Sequence, residues 1–441
     1  MSKKSSRFVV AVAWSAALLV LIGGQAARTI GAPAHTDEIY WTGSAYYLDL
    51  ALRRETRHPD WQLLPARENP SIGKYLIGAS LRAGGTRVET PDLLGVFYLI
   101  FRPTPGAWGD DPESVAKRQA VVDRVRPETI RARERADFRP VPAGALFAGR
   151  ALMVAFGLIT AVGLANLGRL CGEPGAGGLA ALAFAAHPIA VEAYTRIGVD
   201  ILALGFAVAA VNLLVVLVRR DWEFPRHRRR DVVIWGLGLG SLLALACGSK
   251  MNAVVVVVLA QAVGLALIGV RIARRRWRPL APLAALAIAA AVAAVAFIIA
   301  NPTLYRDAWG GLWALVDEHR QTARIQAAFA GTLLSDPGAR LQALGVLLFR
   351  RREGLWLAAA IIAWRTAAAL RARSAMIVVA AWWWIALASL AAWLPFAWGR
   401  YALPLLPPTV LLLAEALVAA AGSSLTTPHS WRIKWYREGR R

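Results

Sequence analysis

Several places in the 441-residue chain set ionisable side chains against apolar runs, where charge is costly and a functional role is the default hypothesis. The first is Asp37-Glu38, which follows closely on the apolar run Phe8 to Gly24. Lys74 returns at the head of a second apolar patch, Tyr75-Leu76-Ile77-Gly78. An acidic pair at a helix mouth with a lysine beside it could juxtapose a general base and a cation for a phosphate. Further on, Arg196 and Asp200 stand four apart, the spacing of a same-face helical pair. They read either as an ion pair orienting two helix ends or as an arginine held for an anion. Gly-Ser-Lys-Met-Asn at 248–252 places Lys250 in a turn, as a snorkelling anchor or a phosphate contact. Asn-Pro-Thr-Leu-Tyr-Arg-Asp at 301–307 sets Tyr305 at the end of an apolar run, with Trp309, Trp313 and His319 beyond it as candidate acceptor contacts. Trp-Gly-Arg-Tyr-Ala-Leu-Pro at 398–404 offers Arg400 beside Tyr401. A guanidinium donates in a fork and keeps its charge, so Arg400 either binds a phosphate or marks the interface.

The elements that must position these groups are apolar helices. The chain is 57% hydrophobic, and repeated runs of about twenty apolar residues define an all-α polytopic membrane protein. The runs lie near 8–25, 145–169, 176–194, 198–218, 232–248, 252–271, 280–301, 354–370, 375–394 and 401–421. That gives about 10 transmembrane helices, within a range of 9–12. The weakest is 354–370, which contains Arg365 and follows Arg350-Arg351-Arg352. The net charge of +23 sits in short blocks at 219–220, 226–230, 271–278, 371–373 and 432–441. These fall on one side of the alternating spans, as the positive-inside rule demands, and suit anionic membrane lipids rather than nucleic acid.

The alternation predicts a cytoplasmic N-terminus with the first helix over 1–25, an extracytoplasmic loop over 26–143, and helices over 144–301. A second such loop follows over 302–353, then helices over 354–422 and a basic cytoplasmic tail over 423–441. Gly24-Gln25-Ala26-Ala27 would pass for a signal-peptidase site; Asp37-Glu38 just beyond favours a retained anchor. Within the long loop, Trp41, Ala45, Leu48 and Leu52 predict a membrane-surface helix over Asp37 to Arg53. Leu93 to Phe101 reads as a second interfacial patch, and Pro103 to Pro140 as a solvated helical or mobile insertion. Cys171 and Cys247 lie far apart in or beside apolar runs and read as buried small hydrophobes.

Asp37-Glu38 after the first helix, followed by Pro70-Ser71-Ile72-Gly73-Lys74, resembles the GT-C glycosyltransferases, in particular the protein O-mannosyltransferases and the lipid A aminoarabinose transferases. Those families often read His-Pro-Pro where this chain has Asn69-Pro70-Ser71, so a role carried by that histidine does not transfer. The resemblance implies a GT-C-like fold and an active site on the extracytoplasmic face of the inner (plasma) membrane. It implies transfer of a sugar from a polyprenyl-phosphate lipid to an acceptor that is a protein, lipid or cell-wall glycan. Asp37 would be the general base, and Glu38 would orient the acceptor or a bound ion. Lys74, Arg196, Lys250, Arg400 and Tyr401 would hold the donor phosphate, with Asp200, Asn69 and Tyr305 in support. No metal-ligand spacing is present, although a divalent ion near Asp37 would suit its carboxylate. The competing readings are a transporter or lipid flippase, which would also keep charge at membrane depth, and a non-catalytic assembly protein with the same fold. Transporters tend to show related halves, and no fixed-period repeat is visible here.

Overall fold

Each of the ten apolar stretches falls in a helix, or a closely joined pair, of the computed structural model, which describes residues 3–135, 137–223, 229–273, 280–331, 333–372 and 374–425. The first, α1 (Lys3–Thr29), leads into α2 (Thr36–Ser44), α3 (Tyr46–Leu52), α4 (Leu64–Glu68), α5 (Ser71–Ala83), α6 (Asp92–Phe101), α7 (Pro112–Val122) and α8 (Pro127–Arg133). Then come α9 (Ala143–Leu170), α10 (Pro174–Ala186), α11 (Pro188–Thr195), α12 (Asp200–Glu223), α13 (Arg229–Ser249), α14 (Val254–Ala273) and α15 (Leu280–Ala300). The chain continues through α16 (Ala308–Phe329), α17 (Pro337–Phe349), α18 (Gly354–Ala372), α19 (Met376–Trp393), α20 (Gly399–Ala402) and α21 (Leu406–Leu425).

Among the described residues, seven helices are long and apolar enough to cross a membrane by length and composition. The number is eight if α10 and α11, bent by 68° at their junction, form one span. This is fewer than the ten expected: the stretch in α14 counts as a shorter apolar helix, and α1 falls outside the count. The basic blocks at 226–230, 271–278, 371–373 and 432–441 lie wholly or partly outside the described residues. The weak span, α18, is long and apolar enough to cross, and its charge is matched: Arg365 forms a two-pronged ion pair with Glu415 of α21.

Small residues let the long helices approach closely. A Cβ on Gly168 of α9 would lie 2.3 Å from the Cα of Gly177 in α10, and one on Gly240 of α13 would lie 2.6 Å from the Ala289 carbonyl of α15. Gly240→Leu should therefore force α13 and α15 apart at a cost of about 1–3 kcal/mol, read as a lowered midpoint in detergent thermal unfolding.

The long loop differs from its sequence reading. The expected surface helix over Asp37 to Arg53 is two helices, α2 and α3, and Tyr40, Trp41, Tyr46, Tyr47 and Leu50 are buried rather than lipid-facing. The patch expected at the interface, α6, packs on α2 with Leu94, Val96 and Tyr98 buried. Its neighbour α7, expected to be solvated, buries Ser114, Arg118, Val121 and Val122, whereas α8 buries nothing. Aromatic contacts explain the inward turn: Phe97 meets Tyr40 edge-on at 5.1 Å, and Tyr47 meets Trp61 at a tilt at 5.1 Å. Both cysteines are free and half-buried.

Candidate active site

The site is organised at the start of α2, where the sequence supplies a reciprocal cap. The His35 side chain accepts from the Asp37 amide, and the His35 amide donates to Glu38 at 2.8 Å. The Glu38 carboxylate, fully buried, then meets Arg150 of α9 through Nε at 2.8 Å and Nη2 at 2.6 Å, and accepts the Ile197 amide at 3.0 Å. Arg150 also donates to the carbonyls of Thr29, Ile30, Ala32 and Pro33. Burial pushes the Glu38 carboxyl up, but the bonds from Arg150, Ile197 and His35 outweigh it and hold the group below its ordinary value. This knot ties α1's exit, α2, α9 and the 196–199 break together. It leaves Asp37, the adjacent residue, facing a cavity of about 560 Å³.

Asp37 meets Arg400 across that cavity, Oδ2 to Nη1, at 2.9 Å. Arg400 lies over the rings of Trp398 at 4.4 Å and Tyr401 at 5.6 Å, so its plane is set by aromatic faces. Its Nε is buried without a partner. Lys250 lies beside it, paired with Asp200 and 5.4 Å over Tyr401. Burial pulls the Lys250 ammonium below its ordinary value, with Asp200 opposing and Arg400 adding to the pull. A second, smaller cavity opens on the far side of the two cations, lined by Asp200, apolar residues of α12 and α14, and Trp382 of α19. The walls of the large cavity carry several aromatic rings, including Tyr40, Trp41, Phe97, Tyr98, Trp108 and Phe329, together with charged Glu68, Arg118 and Glu192.

Of the expected site residues, Asp37, Asn69, Lys250, Arg400 and Tyr401 share the large cavity. Asp200 joins Lys250 and Arg400 in the small one. The others lie elsewhere. Glu38 is consumed by Arg150. Lys74 is fully buried and donates to the carbonyls of Pro65 at 2.6 Å, Ala66 at 3.2 Å and Asn69 at 2.5 Å. Burial pulls its ammonium down to about 7, with Glu68 opposing. It pins the 65–69 segment and does not face the cavity. Arg196 does not pair with Asp200: the chain leaves helix at Arg196, which turns back to Glu192 at 2.7 Å. Tyr305 is exposed and donates to the Ile299 carbonyl at 2.5 Å. Trp309 and Trp313 are exposed and pack on each other.

His319, on α16, does reach the cavity, as do Glu68 and the buried Arg118, which had no signal beyond an acidic and a basic residue in polar stretches. The Glu68 carboxyl accepts from the Tyr40 hydroxyl at 3.0 Å, and burial pushes it above its ordinary value. Burial, with Lys250 and Arg400 nearby, pushes the His319 imidazole down from 6.5 to about 4, Asp200 and the Glu68 backbone opposing. The unfolded chain thus takes up a proton between pH 6.5 and 4 that the folded one refuses, and stability is lost as pH falls through that window. The thermal midpoint of wild type should fall further than that of His319→Gln between pH 7 and 4.5.

For a divalent ion the donor set is poor. Among the described residues no three His, Cys, Asp or Glu side chains converge, and the Asp37 carboxylate faces a guanidinium. No family model and no curated protein matches the sequence. Solved structures similar in chain path include two from Archaeoglobus fulgidus. One is the Archaeoglobus fulgidus oligosaccharyltransferase in complex with Zn and sulfate, at 12% identity and TM-score 0.47, covering 93% of this chain and 48% of that one. The other is archaeal oligosaccharyltransferase AglB from Archaeoglobus fulgidus in complex with an inhibitory peptide and a dolichol-phosphate, at 12% identity and TM-score 0.48, covering 97% and 52%. The chain thus spans about half the length of the structures it matches.

Proposed function

We propose that the chain is a glycosyltransferase of GT-C type that moves a sugar from a polyprenyl-phosphate donor to an acceptor hydroxyl outside the cytoplasm, in the inner membrane. The observation that carries this reading is the pair Arg400 and Lys250, set between an aromatic-walled cavity and a smaller apolar one. Paired cations suit a phosphate, and aromatic faces suit a sugar ring. A phosphate leaving group needs positive charge more than it needs a proton.

In the reaction, the acceptor oxygen attacks the anomeric carbon and the carbon–phosphate oxygen bond breaks with inversion. The electron pair stays on the phosphate, and the acceptor proton passes to Asp37. Phosphate binding draws Arg400 from Asp37, so the donor frees the base. Asn69, Asp200 and Tyr401 support the two cations and the cavity wall.

The test is transfer of label from a polyprenyl-phosphate sugar pool by purified protein in detergent. Wild type should transfer, and Asp37→Asn should lose about 10²-fold in rate. The bend between α10 and α11 would suit a transporter. Lipid binding without sugar release, identical in Asp37→Asn, would put that reading first.

A further inference from the structure

The large cavity contains a donor and an acceptor that nothing in the protein satisfies. Arg400 Nε, a donor, and His319 Nε2 are both buried and without partners. The Glu68 backbone favours a proton on the ring, and with Nε2 unpartnered we assign that proton to Nδ1. Nε2 is then a bare lone pair, an acceptor only. The ring is fixed in plane by Trp393, stacked at 5.7 Å and 21°. Buried polar atoms in this state are costly unless a ligand completes them.

A lone pair and a guanidinium N–H, both unpartnered on residues that line one cavity, have a chemical complement. A hydroxyl fits it, accepting from the guanidinium and donating to the imidazole. A phosphate oxygen does not, because it has no proton for Nε2 and would meet its lone pair.

We propose that His319 selects the transferred sugar by accepting a hydrogen bond at Nε2 from one hydroxyl of the ring, which is seated against Arg400. This rests on the glycosyltransferase reading and goes beyond it, making His319 a positioning and specificity-determining residue for a polyhydroxylated ring. The imidazole can serve because burial, with Lys250 and Arg400 nearby, keeps it neutral at physiological pH against the opposing pull of Asp200 and the Glu68 backbone. Tyr401 lies between the two sides, touching Trp393 at 5.9 Å and lying under Arg400, so the selecting and phosphate-binding groups share one aromatic support.

The experiment uses the full chain in detergent. Wild type that transfers nothing from a polyprenyl-phosphate sugar pool counts against the transferase reading, and the sugar inference falls with it. Once transfer is seen, the donor used is resynthesised lacking each ring hydroxyl in turn. One deoxy donor should lose roughly 10- to 100-fold in kcat/KM on wild type. The same deletion should cost His319→Leu nothing further, and His319→Gln, which keeps an acceptor, should retain part of the discrimination. Thermal midpoints of both variants establish that they are folded. If His319→Leu penalises the deoxy donor as wild type does, or no deoxy donor is penalised on wild type, the inference is overturned.

Discussion

Arg400→Gln should lower kcat/KM for transfer from a polyprenyl-phosphate donor about 10³-fold while leaving the protein folded. Removing one preorganised donor to developing negative charge costs roughly 10²- to 10³-fold, and Arg400 brings a fork of them to the cavity. Its present partner, Asp37, is 42% exposed, so losing the guanidinium strands no buried charge and the fold should hold. Arg400→Lys should recover little, because an ammonium lacks the planar fork and the stacking on Trp398 and Tyr401. Steady-state kinetics with labelled donor decide it. A variant within tenfold of wild type would mean that the phosphate sits elsewhere.

Arg150→Met is the opposite case, large in stability. It removes the counter-ion of a fully buried carboxylate and the donors for four backbone carbonyls. Breaking a buried pair by taking one partner costs about 3–5 kcal/mol. Glu38→Gln should be milder, since Arg150 keeps its four carbonyl acceptors, although the amide's single oxygen can accept from only one of the Ile197 and His35 amides. The comparison is made by thermal unfolding in detergent, and equal loss in both variants would argue against an uncompensated Glu38 charge as the cause.

The apolar runs were legible because a helix crossing a bilayer writes its length into composition, and all ten fall in helices. Asp37 and Arg400 were legible as types and as pieces of a resemblance. Their meeting across 363 residues was not. Arg196 and Asp200 show how spacing misleads: the four-residue rule needs one continuous helix, and α11 ends at Thr195 while α12 begins at Asp200. Lys74 shows the same for chemistry. A lysine heading an apolar patch looks like a ligand for phosphate, but three backbone carbonyls turn it into a structural pin. Arg150 was passed over inside an apolar run, where a charge at membrane depth was itself the signal. His319 is three turns into α16, and only the fold shows that its ring nitrogen lacks a partner.

The pairing of Arg365 in α18 with Glu415 in α21 bears on how the chain is made. During synthesis α18 emerges fifty residues before its counter-ion, and a lone arginine is costly in hydrocarbon. α18 should therefore sit more readily in lipid once α21 is present than in a nascent chain stopped after α19.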